Sequence, residues 1–523
     1  MTQTASLARA GAIVSAAFFA ARLLGWIRTF VMTSMFGATP DLDAFFAAFR
    51  IPDLVYQVVA AGALASAMVP VVASLLATDQ SARAWRVVTT VSNVLFAALV
   101  VLTLLFGVLA PVIVPLITPG FPADRWDLTI QLTRIMLLSP VFLALGAVAT
   151  SLLNAEDRFA ATAVAPIVYN VAIILGALLL GPFLGVTGLA IGVVAGSMGH
   201  LFVQLPAIRR YTTYRWSPSL HTDDPEVRTV VTLLVPRALG LAAVQVTFIV
   251  NTSLASSLGA GAITAYQVAF TILQLPLGLV AVPLGVVLLP TMSRAVAAGA
   301  HADYGILVDR SVHLLGYVMM LATALMLVLR REIVELLFGY GRFDAAAVDQ
   351  TADALAVFVL GLTAHALIAV LARAFYAGQD TRTPVAAAVL AVAVNVVVSV
   401  TTVGTLGIAG LALGIAVGAW IETLVLLWRL EHRVADLSFG RELRTLGLYV
   451  FGASIAGAAA WLTVTASTAV VGTAPGKVLT AVIVVIASLA GGLAYLAWSM
   501  VLRLREPERL VRVVRRMVAR GEA

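Results

Sequence analysis

The chain has 523 residues, 61% of them hydrophobic and only 11% charged, and its mean hydropathy is +1.03. That leaves too little polar surface to cover a soluble globule, so the composition describes a polytopic membrane protein. The net charge of +7 is almost wholly arginine, Lys477 being the one lysine. In a membrane protein such an excess marks cytoplasmic loops, not nucleic-acid binding. The absence of cysteine excludes disulfides, thiolate metal sites and thiol catalysis.

A helical span needs about 20 apolar residues, and about 14 stretches qualify. The first seven are 9–35, 44–76, 87–117, 128–153, 159–181, 184–207 and 229–256. The rest are 262–293, 306–336, 351–376, 384–405, 407–429, 445–468 and 478–502. The N-terminal apolar run exceeds a signal-peptide core and reads as a retained first span. The connections alternate. Arg9, Arg83, Arg86, Arg209, Arg210, Arg215, Arg228, Arg433, Arg441 and Arg444 mark one set, and 36–43, 182–183, 257–261 and 469–477 form a set poor in base. Arg125, Arg330, Arg331 and Arg342 break the rule, yet the bias places both termini in the cytoplasm. The end of the chain, 503–523, sets Leu510, Val513, Val514 and Met517 against Arg509, Arg512, Arg515, Arg516 and Arg520. That pattern fits either an amphipathic helix on an anionic leaflet or a solvated basic tail.

An internal repeat sets the architecture. DAFFAAFRIPDL at 43–54 matches TAYQVAFTILQL at 264–275, an offset of 221. Pro70 matches Pro290, TPGF at 118–121 matches YGRF at 340–343, and Asp157 and Asn170 match Asp380 and Asn395. The repeat unit holds six spans, so both copies run the same way, related by an axis along the membrane normal and facing one another across a central cleft. The expected division is an N-terminal six-helix bundle (1–208), a cytoplasmic linker (209–228), a second six-helix bundle (229–431), two extra spans (432–502) and a basic cytoplasmic tail (503–523).

Three arginines sit inside the first two spans, Arg22, Arg28 and Arg50. A guanidinium at that depth needs a partner, a wet cavity or a ligand. The second copy has Thr271 in place of Arg50 and no arginine matching Arg22 or Arg28, an asymmetry that packing does not require. Arg22 and Arg28 are about 120° apart around a helix. Asp43 and Arg50 share a face, Asp53 is within pairing distance of Arg50, and Pro52 should kink the helix beside it. The structural alternatives are neutralisation of Arg50 by Asp53 or Asp43 and snorkelling of Arg28. The ligand reading is an anionic lipid-linked molecule, because the planar, permanently charged guanidinium suits a pyrophosphate. Arg134, Arg237 and Glu422 are further intramembrane ionisable groups. Asn170, Asn251, Asn395, Gln245 and Gln267 suit hydrogen bonds between helices. No histidine spacing indicates a metal site, and GTAPGKV around Lys477 lacks the P-loop spacing. With no nucleotide site in view, an ion gradient or the membrane potential is the expected energy source. Nor is there an intramembrane constellation of acid, base and nucleophile that would suggest an enzyme.

RLLGWIRTFVMTSMFGATPDLDAFFAAFRIPDL, GALASAMVPV, TPGF, LLNAEDRF, VPLGVVLLPTMSRA, FGYGRFD and FYAGQDTRTPV resemble, in order, the MurJ (MviN) lipid II flippases. These belong to the multidrug/oligosaccharidyl-lipid/polysaccharide exporter superfamily. The resemblance implies 14 spans, a V-shaped cavity and translocation of the undecaprenyl-pyrophosphate-linked peptidoglycan precursor, lipid II. It places the cavity arginines on Arg22 and Arg28, the aspartate after the first loop on Asp43 and a basic position on Arg50. The chain departs from the family pattern at Thr29, Tyr56, Ala61 and Thr271. A sodium site proposed for some members falls on Asn251, Asn395 and Ser399, so the coupling ion implied is Na+ or H+, with no other cofactor. Lipid II, membrane lipids and cell-wall synthesis proteins are the partners this implies. Another polyprenyl-linked glycan, or a small molecule such as a cationic drug, is the alternative cargo on the same fold; three basic groups disfavour a cation.

Overall fold

The computed structural model describes residues 2–59, 63–432, 438–471, 476–508 and 510. Among them every regular element is helical and no strand occurs. Helix is the outcome that lets an apolar chain satisfy its backbone polar groups internally in a solvent that offers no partners.

Two compact units divide the chain, Met1–Thr264 with Tyr340–Asp344, and Ala265–Gly339 with Ala345–Ala523. The first contains α1 (Thr2–Phe36), α2 (Pro40–Val59), α3 (Ala63–Ala77), α4 (Ser81–Ile117), α5 (Ala123–Met136) and α6 (Ser139–Ala155). It continues with α7 (Phe159–Leu175), α8 (Gly181–Leu184), α9 (Val186–Phe202), α10 (Leu205–Tyr211) and α11 (Pro225–Ser256). α12 (Ala262–Pro276) leads into the second unit, which holds α13 (Val282–Ala297), α14 (His301–Val328), α15 (Arg330–Phe338), α16 (Ala345–Phe358) and α17 (Leu362–Ala377). α18 (Arg382–Leu406), α19 (Ile408–Glu431), α20 (Phe439–Val471) and α21 (Lys477–Val501) complete it.

Eleven helical stretches among the described residues are long and apolar enough to cross a membrane. The other three expected spans fall on α1, on α2 with α3, and on α11. Pro52 lies inside α2, which continues through it as one helix. The eighth span is interrupted: a π-turn at Leu277–Ala281 separates α12 from α13 directly after Pro276, the residue whose missing N–H frees a carbonyl one turn earlier.

The division by packing departs from the sequence boundary at 229. The seventh span, α11, belongs with the first unit, and the break falls at Thr264. α11 packs on α3 and α4 through Val227 and Val230, and polar groups of α2 find partners along it and the turn after it. In the first unit, one core joins Met32, Phe36, Phe45, Leu132, Met136, Leu189 and Val193. A second joins α3, α4 and α6 through Met68, Val72, Val88 and Leu152.

The linker expected at 209–228 is strapped to α4. Trp85 Nε1 donates to Thr213 Oγ1 at 2.8 Å, Asn93 Nδ2 donates to the carbonyls of Ser217 and Ser219 at 2.9 Å, and Trp216 Nε1 donates to Asn93 Oδ1 at 2.8 Å. Arg83 reaches Asp224, the N-cap of α11, at 3.3 Å. Most of the tail, including Arg512, Arg515, Arg516 and Arg520, lies outside the described residues, as do Ala61 and the side chain of Arg237.

Candidate functional site

In the first unit α2 and α11 run antiparallel, and their polar groups meet in register. Gln245, Phe248 and Thr252 recur at three- and four-residue steps, which places them on one stripe of α11. Arg50, at 9% exposure, donates from Nε to Thr252 Oγ1 at 2.8 Å, and its guanidinium carbon lies 5.5 Å from the centre of the Phe248 ring. One turn further along α2, Asp53 accepts from Gln245 Nε2 at 3.1 Å and from Gln57 Nε2 at 3.4 Å. A buried cation and a half-buried anion three residues apart are thus each given neutral donors or acceptors from the opposing helix.

The field of this centre extends to α1 and α7. Arg28 of α1 and Tyr169 of α7 lie within electrostatic range of Asp53 and Tyr56. Arg28, Tyr56 and Tyr169 are half-buried, so the group combines two guanidinium ions, one carboxylate and two phenols. Two arginines against one aspartate give it an excess of basic groups. Arg22, six residues before Arg28 on α1, is exposed.

Asp43 is held by protein donors. Its side chain is 1% exposed and accepts from the backbone N–H of Gly261 at 2.6 Å and from Thr264 N and Oγ1 at 2.7 Å. These N–H groups belong to the first turn of α12 and the turn before it, so the carboxylate caps that helix. Gly261 is required there: its φ is +84°, and a Cβ would lie 2.7 Å from the Ala38 carbonyl oxygen. The Tyr340–Asp344 segment docks at the same end of this unit. Arg342 N donates to the Ser34 carbonyl at 2.8 Å, and the Tyr340 ring meets Phe30 edge-on at 5.4 Å.

Of the expected ion ligands, Asn395 and Ser399 lie together in α18, with Asn395 Nδ2 donating to Ser399 Oγ at 3.4 Å. Both are buried against Gly414 of α19, where a Cβ would overlap Ser399 Oγ. Asn251 is fully buried in α11 of the first unit. Arg134 donates from Nε to the Gly107 carbonyl at 2.9 Å and so satisfies one of its donors on backbone. Glu422 is half-buried in α19.

Sequence reasoning missed Thr252, Phe248 and Tyr169 as members of the polar centre. Their signal was available: an apolar helix with Gln245 and Thr252 seven residues apart presents a polar stripe opposite Asp53 and Arg50.

One buried and one half-buried guanidinium group within a bundle of long apolar helices fit a polytopic membrane transporter. Residues 32–499 match the family model described as lipid II flippase MurJ. The lipid II flippase MurJ of Burkholderia cenocepacia is 32% identical over 436 residues, covering 82% of this chain and 84% of that protein. The probable lipid II flippase MurJ of Rhizobium tropici is 31% identical over 470 residues, 87% of each chain. The chain belongs to the MurJ family, a family of flippases and not of catalysts. Its fold is similar to a solved MurJ in an inward closed conformation, with TM-score 0.79 and 22% identity over 94% of this chain and 98% of that one. It is also similar to an inward-facing multidrug-resistance MATE transporter, with TM-score 0.67 and 14% identity over 80% of this chain and 95% of the other.

Proposed function

We propose that this protein flips lipid II from the inner to the outer leaflet of the bacterial cytoplasmic membrane, with both termini in the cytoplasm. The observation that carries the reading is membership of the MurJ family along nearly the whole chain. The positively charged centre around Arg28 and Arg50 supports it. A pyrophosphate-bearing headgroup in hydrocarbon faces a desolvation cost of many kcal/mol, and fixed guanidinium groups offset it with charge-assisted hydrogen bonds. Arg22 extends the basic surface of α1 toward the same headgroup. Cycling is by alternating access, driven by the membrane potential or a gradient of Na+ or H+. Cell-wall synthesis proteins are the partners that would consume the product.

The test is complementation. Arg28→Ala should insert and accumulate like the parent protein yet fail to sustain growth of cells depleted of their own flippase, with lipid II building up. Normal growth on Arg28→Ala at native expression would overturn the role given to the arginine centre. Accumulation of a different lipid-linked glycan on depletion would overturn the substrate.

A further inference from the structure

A second charged cluster lies in the second unit, at the end where α20 begins and the chain leaves α21. His313 projects from α14, Asp309 precedes it by one turn, Glu442 sits in the first turn of α20, and Glu506 follows α21. His313 Nε2 is 2.9 Å from Glu442 Oε2, while Nδ1 is 3.7 Å from Asp309 Oδ2 and 4.0 Å from Glu506 Oε1. The Glu442 side chain is 0% exposed and that of Glu506 is 7% exposed. Tyr449 and Tyr317, both buried, pack edge-on in the same place, with Tyr449 against the imidazole.

We infer that His313, Glu442 and Asp309 form a binding site for a divalent transition-metal ion of the Zn2+ or Mn2+ type. Three observations carry this. First, one ligand atom from each of the three residues can be chosen so that all lie within 4.8 Å of one another. Second, His313 Nε2 and Glu442 Oε2 are buried without a hydrogen-bond partner despite their 2.9 Å separation. The ring N–H direction therefore does not point at that oxygen. Two ligand atoms about 2.0–2.2 Å from a shared cation have about this spacing and share no hydrogen bond. Third, Arg441 Nη2 holds the other oxygens, Asp309 Oδ1 at 3.0 Å and Glu442 Oε1 at 3.4 Å. That leaves Oδ2 and Oε2 turned toward the imidazole, in the way outer-shell groups orient metal ligands.

Charge leads to the same answer. Asp309, Glu442 and Glu506 against Arg441 leave two negative charges in excess around the imidazole, and one divalent cation removes them. One histidine with carboxylates suits a borderline ion better than Mg2+ or Ca2+, which prefer an all-oxygen shell. The ion would fasten α14 to α20.

The experiment uses the full-length purified protein, stripped with chelator and titrated with ZnCl2 and, separately, MnCl2. Bound metal is measured by mass spectrometry and unfolding by a thermal shift. The parent protein should hold about one equivalent and gain thermal stability. Glu442→Gln and His313→Gln should weaken binding at least tenfold and abolish the gain. Arg441→Gln keeps every ligand and should weaken binding by about tenfold, which separates orientation from loss of fold. Asp309→Asn, at a half-exposed position, serves if Glu442→Gln does not fold. The inference is overturned if the parent protein binds no more of either ion than the variants do. It is equally overturned if acidification alone reproduces the stabilisation and metal adds nothing, which would make the cluster a protonated-histidine ion pair.

Discussion

At the residue scale, Arg50 and Asp43 lie on one face of α2 and have opposite fates. The alternation of charge along Pro40–Val59 shows that both need partners, but the side-chain types alone do not say whether the partner is protein or ligand. Asp43 faces the free N–H groups at the start of α12, and those donors consume both of its oxygens. Arg50 donates from Nε to the Thr252 hydroxyl, lies over the Phe248 ring and sits in the field of Asp53, so its charge is held among polar and aromatic groups of α2 and α11. Asp43 is therefore a stability residue. Asp43→Ala would strand two or three buried donors, each worth about 1–3 kcal/mol when left unpaired, and should lower the thermal midpoint in detergent by several degrees. Asp43→Asn retains one acceptor and should fall between the two. If Asp43→Ala instead leaves the midpoint unchanged but abolishes transport, the carboxylate belongs to the ligand after all.

At the element scale, the helices were legible where apolar runs are long, and the connections were not. Residues 209–228 carry Arg209, Arg210 and Arg215 and read as a solvated cytoplasmic loop. Nothing in their periodicity discloses that Trp216, Ser217 and Ser219 dock on Asn93, because the partner lies more than 120 residues away. The assignment of α11 was missed for the same reason: the repeat puts it at the head of the second copy, but its polar stripe answers groups on α2. The strap has its own pH signature. Partial burial alone would push the Asp224 carboxyl up. The Glu226 N–H and the Arg83 guanidinium outweigh that and hold it below its ordinary value of 3.8. A carboxyl depressed in the folded state contributes its full stability above the unfolded value and loses it as pH falls through the folded one. The strap should therefore be unaffected between about pH 6 and 8, and protease access to 212–224 should rise in the parent protein only as the pH falls below the ordinary carboxylate value of 3.8. Asp224→Asn should show higher access at neutral pH and little further change on acidification. A parent protein whose access rises already at pH 6 would show that another group governs the strap.

At the scale of the whole molecule, the repeat, the span count and the family are read from sequence because they depend on order and hydropathy. The energy source depends on a few polar atoms. The residues expected to hold Na+, Asn251, Asn395 and Ser399, include no carboxylate, and the Asn395–Ser399 pair is packed tightly under Gly414. Neutral oxygens alone compensate poorly for the hydration a sodium ion gives up in a buried site. The substrate's phosphates carry negative charge outward, and an inside-negative potential favours that movement by about 2.3 kcal/mol per elementary charge for each 100 mV. The centre's arginines are positive, so returning them unloaded toward an inside-negative face is favoured as well. Proteoliposomes carrying this protein and labelled lipid II should accordingly flip faster when a potassium diffusion potential of about 100 mV, negative inside, is imposed. A tenfold Na+ gradient at zero potential should leave the rate unchanged. A rate that follows the Na+ gradient and ignores the potential would reverse the assignment and return Asn251, Asn395 and Ser399 to the centre of the mechanism. Neutralising Arg28 should reduce the dependence on potential as well as the rate, because the charge that senses the field on the return step is then smaller.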